Sequence, residues 1–352
     1  MIYFGYMKSE IDDGGSSRNS VIWKDFKEKK ILSVNIYSKN KLIKLLKSCM
    51  IIFLLSVLRN KKIIIHYTLI PSMFISNFFK YKSYKNFCMR LLKKCIKKNK
   101  IIFEINDLPY EQAIDLEIEL HDYWLEIETI IFNSPTSKYI FASYTMKDYI
   151  IEKYKIKKEN VEVLINGGGV LNKELLLTAK KYINENDKIK YIYAGSLNKG
   201  RQIEELIEIF QEKTNVELYL IGIWGEWIKD KGNNIIYLGN FEESMAHAIV
   251  HSCDVGIIPY DENRFYYNLC YPTKASFYIT AGIPFLCTNL KELKNIFEKK
   301  NVSWFKNIGE WQKQIEIIDE KKVKEKKENI KYIKNDFLWN SLVKKIDFEK
   351  LL

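Results

Sequence analysis

The segment from Tyr271 to Pro284, YPTKASFYITAGIP, constrains the fold of this chain more than any other part of the sequence. It lies between two short apolar runs, DVGIIPY at 254–260 and PFLCT at 284–288, which are typical of buried parallel strands. The segment starts with Pro-Thr-Lys and ends with Ala-Gly-x-Pro, which are signals for the start and the end of a helix. It therefore predicts a strand, helix and strand of a parallel α/β sheet.

Lys274 stands at the entry of this predicted helix, where the helix dipole is positive. The backbone amides of residues 273–276 have no partner inside the helix, so they and the Lys274 ammonium form an anion site. Such a site suits the two phosphates of a nucleotide-linked substrate. We therefore expect Pro272, Thr273 and Lys274 to bind the anion; the alternative is that Lys274 is a surface lysine.

Apolar runs that alternate with helical segments continue along the chain and fall into two series. The first series predicts strands at Met1–Met7, Ile31–Tyr37, Ile63–Tyr67, Ile101–Ile105, Tyr139–Ala142 and Val161–Ile165. The second predicts strands at Ile189–Ala194, Val216–Ile221, Ile235–Leu238, Val255–Pro259 and Phe285–Thr288. Helices are predicted at Asn19–Lys30, Gln202–Phe210, Glu243–Ser252, Thr273–Ala281 and Glu292–Lys299. This alternation favours parallel sheets that helices cover on both faces.

The two series predict two domains, separated by the flexible sequence Asn-Gly-Gly-Gly at 166–169. We place the N-terminal domain at residues 1–168 and the C-terminal domain at residues 169–330. Residues 331–352 are predicted to form a helix that returns toward the N-terminal domain. The tail from Glu310 onward is expected to be helical, and its expected aromatic anchors are Trp311, Phe337 and Trp339. The expected fold class is α/β, with two Rossmann-like domains that face a central cleft.

The net positive charge of the chain comes from its first hundred residues, which hold 22 lysines and arginines against five acidic residues. The densest part, Lys80 to Lys100, has nine basic residues, no acidic residue and interleaved aromatic side chains. Such a surface attracts anionic lipid headgroups or nucleic acid phosphates. The alternative is a solvated helix that simply carries many lysines. We expect an anionic membrane surface as a partner and no nucleic acid.

Neither a secretory leader nor a membrane span is visible, because residues 1–15 carry acids and the apolar run at 50–58 is too short to cross a bilayer. We expect a cytoplasmic protein, peripheral on the inner face of the cell membrane. Six cysteines without regular spacing predict reduced thiols. The residues His247, His251 and Cys253 suggest zinc only weakly, because no second ligand pair exists. A polar helix stripe is the favoured interpretation.

Several segments of the chain, taken together with their order, resemble segments of the GT-B glycosyltransferases, and the resemblance extends over nearly the whole chain. It is strongest to small bacterial members that build surface polysaccharides or glycosylate proteins. YAGSLNKGR at 193–201 is similar to the loop after the first strand of that family's donor-binding domain. The sequences LIG at 220–222, YLG at 237–239, CDVG at 253–256 and Pro-Thr-Lys follow it. In the first domain, NDLP at 106–109 resembles the family's His-Asp loop.

Two positions depart from the family's pattern. Many retaining members have a ribose-binding glutamate three residues after the lysine, where this chain has Phe277, so that contact is not transferred. Many relatives have histidine where this chain has Asn106, which puts a mechanism that needs the imidazole in doubt. A subgroup that lacks the same glutamate has Tyr-Asn shortly before Pro-x-Lys, and YNLCYPTK at 267–274 is similar. On this basis we count Asn268 and Tyr271 among the donor-binding residues.

The resemblance implies sugar transfer from a nucleotide sugar, with the N-terminal domain binding the acceptor and the C-terminal domain binding the nucleotide sugar. The charge of the leaving diphosphate must then be stabilised. The chain lacks a D-x-D motif after a donor strand, so lysine and arginine are better candidates for this role than a metal ion. We expect no metal and no cofactor beyond the nucleotide-sugar co-substrate. Besides Lys274, the candidates for donor binding are Lys199, Arg201, Gly195, Ser196 and Tyr260. For Lys199 and Arg201 the alternative is that both are solvated loop charges. For Gly195 and Ser196 the alternative is a simple tight turn.

Gly14, Gly15 and Ser16 follow the first strand and are expected to hold the acceptor, although an unstructured loop explains them equally well. Asp107 follows a buried strand at the edge where open α/β sheets bind ligands, so we predict it as the general base. Glu104 and Asp13 are its rivals. Helix capping or turn formation is the alternative role for Asp107.

These expectations combine into a glycosyltransferase that acts on a glycan, plausibly a lipid-linked one, at the membrane. Three alternatives remain open: a sugar-nucleotide epimerase of the same fold, a catalytically degenerate partner subunit, and a nucleic-acid-binding protein. Phe277 and Asn106 favour the second, and the basic segment favours the third. A homo-oligomer is also left open.

Overall fold

The computed structural model describes residues 1–8, 14–197, 201–211, 213–228, 232–348 and 351. The chain divides into two compact units. Unit 1 comprises Met1–Ile165 together with Val343–Leu352, and unit 2 comprises Asn166–Leu342. The chain thus leaves unit 1 after Ile165 and returns to it after Leu342. Each unit contains a six-stranded parallel sheet.

The sheet of unit 1 has the strand order β2-β1-β3-β4-β5-β6. Its strands are β1 (Ile2–Gly5), β2 (Leu32–Asn35), β3 (Lys62–His66), β4 (Lys100–Ile105), β5 (Lys138–Phe141) and β6 (Val161–Val163). The α-helices of this part of the chain are α1 (Gly14–Glu28), α2 (Lys41–Val57), α3 (Ile70–Met73), α4 (Lys82–Lys98), α5 (Pro109–Asp115), α6 (Tyr123–Phe132) and α7 (Tyr144–Tyr154).

The sheet of unit 2 has the order β12-β11-β10-β7-β8-β9. Its strands are β7 (Ile189–Ala194), β8 (Val216–Ile221), β9 (Ile235–Gly239), β10 (Val255–Ile258), β11 (Phe285–Cys287) and β12 (Ser303–Phe305). The α-helices are α8 (Leu176–Lys180), α9 (Ile203–Gln211), α10 (Glu243–His251), α11 (Phe265–Leu269), α12 (Thr273–Ala281), α13 (Lys291–Phe297), α14 (Trp311–Ile317), α15 (Glu320–Ile333) and α16 (Trp339–Lys344), the last of which crosses the unit boundary.

Burial on both faces explains why the central strands are almost uninterrupted apolar runs. All six residues of β8 are buried, and so are the four residues of β10, as expected for parallel strands between helical layers. In unit 2 the helix α9 adds Leu206 and Phe210 to this core, and Trp311 of α14 is fully buried in it. The Trp311 indole satisfies its N–H by donating to the Lys306 carbonyl at 2.9 Å.

All eleven predicted strands are confirmed, and the helix predicted at Thr273–Ala281 has these bounds in the structure. The sequence did not predict strand β12 or helix α11. The predicted start of the first helix was wrong, because α1 already includes Gly14, Gly15 and Ser16. The chain is therefore already helical from Gly14, whereas the predicted helix starts only at Asn19.

The aromatic residues Phe337 and Trp339 pack within unit 2. The ring of Phe337 stacks on Phe297 with centroids 4.9 Å apart, and a Cβ added at Gly167 would lie 2.8 Å from the Trp339 ring. Glycine at 167 thus permits this close approach. The chain then returns to unit 1, where the Phe348 ring meets Phe26 edge-on at 4.8 Å.

All six cysteines are free thiols, four of them buried. Within the described part of the chain, no helix combines the length and the apolar character needed to cross a bilayer. Helices α2 and α4 are the longest helices of unit 1.

Candidate functional site

The predicted anion site lies at the carboxyl ends of β7 and β10, two neighbouring strands in the middle of the unit 2 sheet. Ligands of open α/β sheets bind at this edge, because the loops that leave parallel strands meet there. Gly195 follows β7, Tyr260 follows β10, and α12 starts with Thr273 and Lys274. The structure thus brings together three segments that are far apart in sequence.

The Lys274 ammonium lies among tyrosines. Its Nζ donates a hydrogen bond to the Tyr260 hydroxyl at 3.1 Å and lies 4.9 Å from the centre of the Tyr193 ring and 5.3 Å from that of Tyr260. Aromatic faces attract a cation without neutralising its charge. We call Lys274, Tyr193, Tyr260 and Gly195 the Lys274 cluster. Within the described residues Lys274 makes no salt bridge, so the cluster keeps a positive charge that an anionic ligand can use.

Glycine at 195 makes room for this ammonium. A Cβ added at Gly195 would lie 2.6 Å from Lys274 Nζ, and its φ of 144° belongs to a region that residues with side chains rarely adopt. Gly222, after the neighbouring strand β8, has a φ of 143°, and its Cβ would lie 1.9 Å from the Gly195 carbonyl oxygen. Two glycines packed against each other therefore shape the backbone beside Lys274.

The pKa shifts of these groups reflect the local positive charge. Burial alone raises the pKa of the Tyr260 phenol, but the charges of Lys274 and Arg201 outweigh it and hold this pKa below its ordinary value. Burial acts against the charge of Lys274, yet the phenols of Tyr193 and Tyr260 raise its pKa above the usual lysine value. The ammonium is therefore charged at neutral pH. Arg201 is a second cation close to the same tyrosines.

Three further predicted donor residues lie close in the chain to residues of the Lys274 cluster. Thr273 and Ser196 are half-buried beside the cluster, and Tyr193 donates its hydroxyl hydrogen to the Ser196 carbonyl at 3.1 Å. Pro272 is buried and is the residue immediately before α12, with extended backbone. Tyr267, which was not among the predicted donor residues, is half-buried, and its ring centroid lies 5.0 Å from that of Tyr260. Lys199 lies outside the described residues.

Two other candidates have structural contacts that occupy their polar groups. Tyr271 is buried, and its hydroxyl is 2.7 Å from the Ser276 hydroxyl, which donates to the Asn166 carbonyl. The Asn268 amide donates to the carbonyls of Glu262 and Arg264 and accepts from the Lys291 amide. These bonds fix the segment between β10 and α12 and the start of α13. Both residues therefore stabilise the loops around the Lys274 cluster.

Phe277 and the two histidines of α10 form a helix contact. Phe277 lies on α12 and packs on His247, with ring centroids 4.7 Å apart. His247 is buried beside the Thr280 hydroxyl and the Phe277 carbonyl, and burial lowers the pKa of His247 to about 4. His251 Nδ1 lies 2.6 Å from the Ala281 carbonyl. In the part of the chain that the structure describes, no group of three or more potential ligands is positioned for a metal ion.

In unit 1 the predicted base Asp107 follows β4 and is half-buried. The Asn106 amide donates to its carboxylate at 2.9 Å, so the residue at the family's histidine position here orients the aspartate. The rival Glu104 is 1% exposed and accepts a 2.6 Å bond from Arg18, and it also bonds to His66. Burial raises the pKa of Glu104, but Arg18 and His66 outweigh it and lower the pKa to about 2. Asp13 lies outside the described residues.

The predicted acceptor residues Gly14, Gly15 and Ser16 form the first turn of α1. This end of the helix is polar and yet buried: Ser16, Ser17, Arg18, Asn19 and Ser20 are all less than 9% exposed. Among the described residues, neither polar atom of the Asn19 side chain has a hydrogen-bond partner. A buried amide without a partner is costly, so Asn19 is a further candidate for ligand contact.

Sequence reasoning missed Tyr193, Gly222 and Asn19. The sequence indicated only that Tyr193 belongs to a strand. Its position at the end of β7, directly before Ala-Gly-Ser, places its ring beside the loop at Gly195 and Ser196. Gly222 was recognised as part of a motif, but its contact with Gly195 follows from the pairing of β7 with β8. No signal in the sequence marked Asn19.

No protein-family model matches the sequence, and no curated protein matches it. Solved structures do. WaaG, a glycosyltransferase involved in lipopolysaccharide biosynthesis, superposes with a TM-score of 0.64 at 12% identity and covers 98% of both chains. HepE of Anabaena in complex with UDP-glucose gives 0.67 at 10% identity over 99% of this chain and 98% of that one. A glycosyltransferase of Rickettsia africae gives 0.61 at 13% identity over 98% and 96%.

These structural neighbours are glycosyltransferases of GT-B architecture, and the likeness extends over nearly the whole chain. At 10–13% identity it establishes the fold and leaves the activity to be argued from the site. The α/β class and the two Rossmann-like domains expected from the sequence are thereby confirmed. This chain has the GT-B fold.

Proposed function

We propose that this chain is a glycosyltransferase that moves a sugar from a nucleotide-sugar donor to a saccharide acceptor. One observation carries the proposal. A charged Lys274 ammonium, without a carboxylate partner among the described residues, lies at the first turn of a helix and against a glycine at the carboxyl end of a parallel strand. This combination suits a diphosphate, since it supplies a cation, helix N–H groups and backbone without side chains.

On the donor side, Lys274 and the first amides of α12 stabilise the charge that develops on the leaving diphosphate. Arg201 adds a second cation, and the loop at Gly195 and Ser196 lets the backbone approach the phosphates. Tyr260 and Tyr267 offer adjacent aromatic faces for a base or a sugar. Two cations at this position make a metal ion unnecessary, so we propose transfer without a metal cofactor.

On the acceptor side, Asp107 is the proposed general base. Its neighbour Asn106 orients the carboxylate, whereas Glu104 is occupied by Arg18 and His66 and its lowered pKa makes it a weak base. Gly14, Gly15, Ser16 and the unpartnered Asn19 are proposed contacts for the acceptor. Because unit 1 carries the basic segment Lys80 to Lys100, a lipid-linked glycan at the cytoplasmic membrane face is the proposed acceptor.

The structural neighbours indicate which donor to test first. HepE was crystallised with UDP and with UDP-glucose, and WaaG takes part in lipopolysaccharide biosynthesis. We therefore place uridine diphosphate sugars first in a donor panel and include guanosine and deoxythymidine diphosphate sugars as competitors.

Calorimetry with nucleoside diphosphates, followed by incubation with labelled nucleotide sugars and membrane extract, tests the proposal. A diphosphate should bind, and label should move to a lipid-extractable or saccharide product, also in the presence of a chelator. Failure of every diphosphate to bind would overturn the proposal. Loss of transfer in the chelator would overturn only the metal-independent form.

Phe277 and Asn106 keep one alternative open, that of a catalytically degenerate partner subunit. Phe277 occupies the position of the family's ribose-binding glutamate and packs on His247 instead. This alternative predicts diphosphate binding without transfer by the isolated chain. It also predicts that transfer appears when a separate active subunit is supplied with the extract, and that it stays unchanged when Asp107 is replaced by asparagine.

A further inference from the structure

Helix α2 exposes a row of large apolar side chains. Its buried face is short and consists of Ser48, Ile51 and Leu55. Seven apolar residues are at least 39% exposed: Leu42, Ile43, Leu45, Leu46, Met50, Phe53 and Val57. At 3.6 residues per turn, the spacing of Leu42, Leu46, Phe53 and Val57 places these four side chains on one side of the helix.

A row of this kind differs from scattered apolar residues, which are ordinary on protein surfaces. Leu42, Leu46 and Phe53 are each more than 60% exposed, so the described residues of unit 1 leave this face uncovered. The helix is nevertheless well formed at its start, where the Asn40 side chain accepts hydrogen bonds from the amides of Leu42 and Ile43 at 2.9 and 3.2 Å. The apolar face therefore belongs to an ordered helix.

The neighbouring helix α4 provides a cationic face. Its buried side is apolar, with Cys88, Leu91, Leu92, Cys95 and Ile96 among its residues. Its exposed side carries six cations: Lys82, Arg90, Lys93, Lys94, Lys97 and Lys98. Exposed aromatic side chains accompany them, namely Phe78, Tyr81 and Phe87 at 42%, 56% and 51%. The segment from Lys80 to Lys100 contains no acidic residue.

The topology places these two faces side by side. The crossovers from β2 to β3 and from β3 to β4 run in the same direction along the sheet. Because such crossovers are right-handed, α2 and α4 cover the same face of the sheet. The two helices pack against each other, so their exposed sides belong to one layer. The apolar row of α2 thus lies beside the cations of α4, and Lys41 and Lys44 add exposed charge on α2 itself.

We propose that α2 and α4 form a docking surface for an anionic lipid bilayer, in which α2 lies in the plane of the interface with its apolar row among the acyl chains. Cations beside an apolar helix face fit anionic headgroups above acyl chains. A second copy of the chain fits less well, since pairing two such faces brings like charges together. Helix α2 has 17 residues with three lysines in its first seven, which suits an interfacial position and not a span.

This inference does not rest on the proposed function, because vesicle binding is measured without donor or acceptor. The full chain is floated with vesicles of phosphatidylcholine, with or without phosphatidylglycerol. Binding should need phosphatidylglycerol and should weaken as salt is added. The double variant Leu46→Ser and Phe53→Ser should bind roughly a hundredfold more weakly. Its matched control is Val170→Ser and Leu177→Ser, two side chains of unit 2 that are 72% and 78% exposed.

A second pair of variants tests the charge. Lys93→Gln with Lys97→Gln should weaken binding by about tenfold or more. The control Lys321→Gln with Lys324→Gln removes two exposed lysines of α15 and should leave binding unchanged. Circular dichroism of each variant verifies that the fold is retained. Equal binding of the α2 variant and the parent chain would overturn the proposal.

Cys49 offers a direct measure of insertion, because it is the only exposed cysteine among the six and lies on α2. A polarity-sensitive fluorophore on Cys49 should shift its emission to shorter wavelength with phosphatidylglycerol vesicles and not with phosphatidylcholine alone. The variant Cys49→Ser is the labelling control. An unshifted emission would overturn the lipid proposal. So would a dimer in lipid-free solution that the double variant Leu46→Ser and Phe53→Ser dissociates, because the apolar face would then be a protein contact.

Discussion

Among the described residues, two lysines each lie near more than one tyrosine ring, one in each unit, and they differ in their carboxylate partners. In unit 1, Lys153 lies 5.3–5.6 Å from the centres of three tyrosine rings and donates to Glu111 at 2.6 Å and to Glu128 at 2.7 Å. In unit 2, Lys274 lies near two tyrosine rings and makes no salt bridge within the described residues. We call the first group, with its tyrosines Tyr110, Tyr149 and Tyr154, the Lys153 cluster.

The difference separates a structural cation from one that is suited to a ligand. The charge of Lys153 is neutralised by two buried carboxylates on α5 and α6, so it links three helices of unit 1. The Lys274 ammonium instead contacts two aromatic faces and donates a hydrogen bond to one phenol hydroxyl. An anion that enters the Lys274 cluster therefore meets an uncompensated cation, whereas the Lys153 cluster offers it none.

The largest effect is expected when Lys153 is replaced by alanine. Glu111 and Glu128 are then left buried without their cation, which should lower the free energy of unfolding by about 3 kcal/mol. Nucleoside diphosphate affinity should not change. Urea unfolding and calorimetry measure the two quantities. The matched control is Lys147→Ala on the same helix, since Lys147 lies over one tyrosine ring and pairs with the exposed Asp148. A Lys153 variant that kept its stability and lost affinity would reverse the comparison.

Replacing Lys274 by alanine should have the opposite profile. Loss of a charge-assisted contact should weaken nucleoside diphosphate binding by about 2 kcal/mol, or about thirtyfold, and leave nucleoside binding unchanged. Stability should change little, because no buried carboxylate loses its partner. The control Lys291→Ala removes an exposed lysine at the start of α13. Equal diphosphate affinities of the variant and the parent chain, measured by calorimetry, would remove the proposed role of Lys274.

Gly195→Ala should affect both quantities by a smaller amount. The new Cβ meets the Lys274 ammonium in a backbone conformation that suits only glycine, so we expect about 1.5 kcal/mol of strain and a displaced ammonium. Gly309→Ala is the control, because open space surrounds that glycine. In the Lys274→Ala background the affinity loss from Gly195→Ala should shrink, as a double-mutant cycle detects. Full additivity would show that the glycine acts independently of the ammonium.

The smallest effect is expected from pH. Burial, and then the Glu111 charge, raise the pKa of Glu128 from 4.5 to about 7. Between these values the folded chain keeps a proton that the unfolded chain has released, so the unfolding free energy should fall, by at most about 1.4 kcal/mol per pH unit, as pH rises through this window. Glu128→Gln should flatten the profile, as urea unfolding at several pH values would measure. An unchanged slope in this variant would assign the pH dependence to other groups.

How much of this comparison the sequence could predict depends on the distance along the chain between the interacting residues. Lys274 was found because its signals are local: an apolar strand, Pro-Thr-Lys and a helix end occupy about thirty consecutive positions. The Lys153 cluster was not found, since Lys153 is 42 residues from Glu111 and 25 from Glu128. Its partners are set by the packing of α5, α6 and α7, which no short pattern encodes.

Polar side chains were harder to assign than elements. The position of Asn268 before Pro-x-Lys suggested a donor contact, but its amide bonds the loop at 262–264 and the start of α13. Gly14 and Gly15 suggested a loop, because glycine is a weak helix former, yet they lie in α1. The three residues of β12 were missed, because so short a strand depends on pairing with β11 more than on its own sequence.

The return of the chain to unit 1 has a consequence for its synthesis on the ribosome. Residues 166–342 are continuous, so unit 2 has its whole sequence available as soon as it is translated. Unit 1 must wait, because Phe348 covers Phe26 and is made more than three hundred residues later. The part of unit 1 that is made before unit 2 is therefore completed only after it, and its aromatic surface at Phe26 stays open to chaperones until Phe348 has been made.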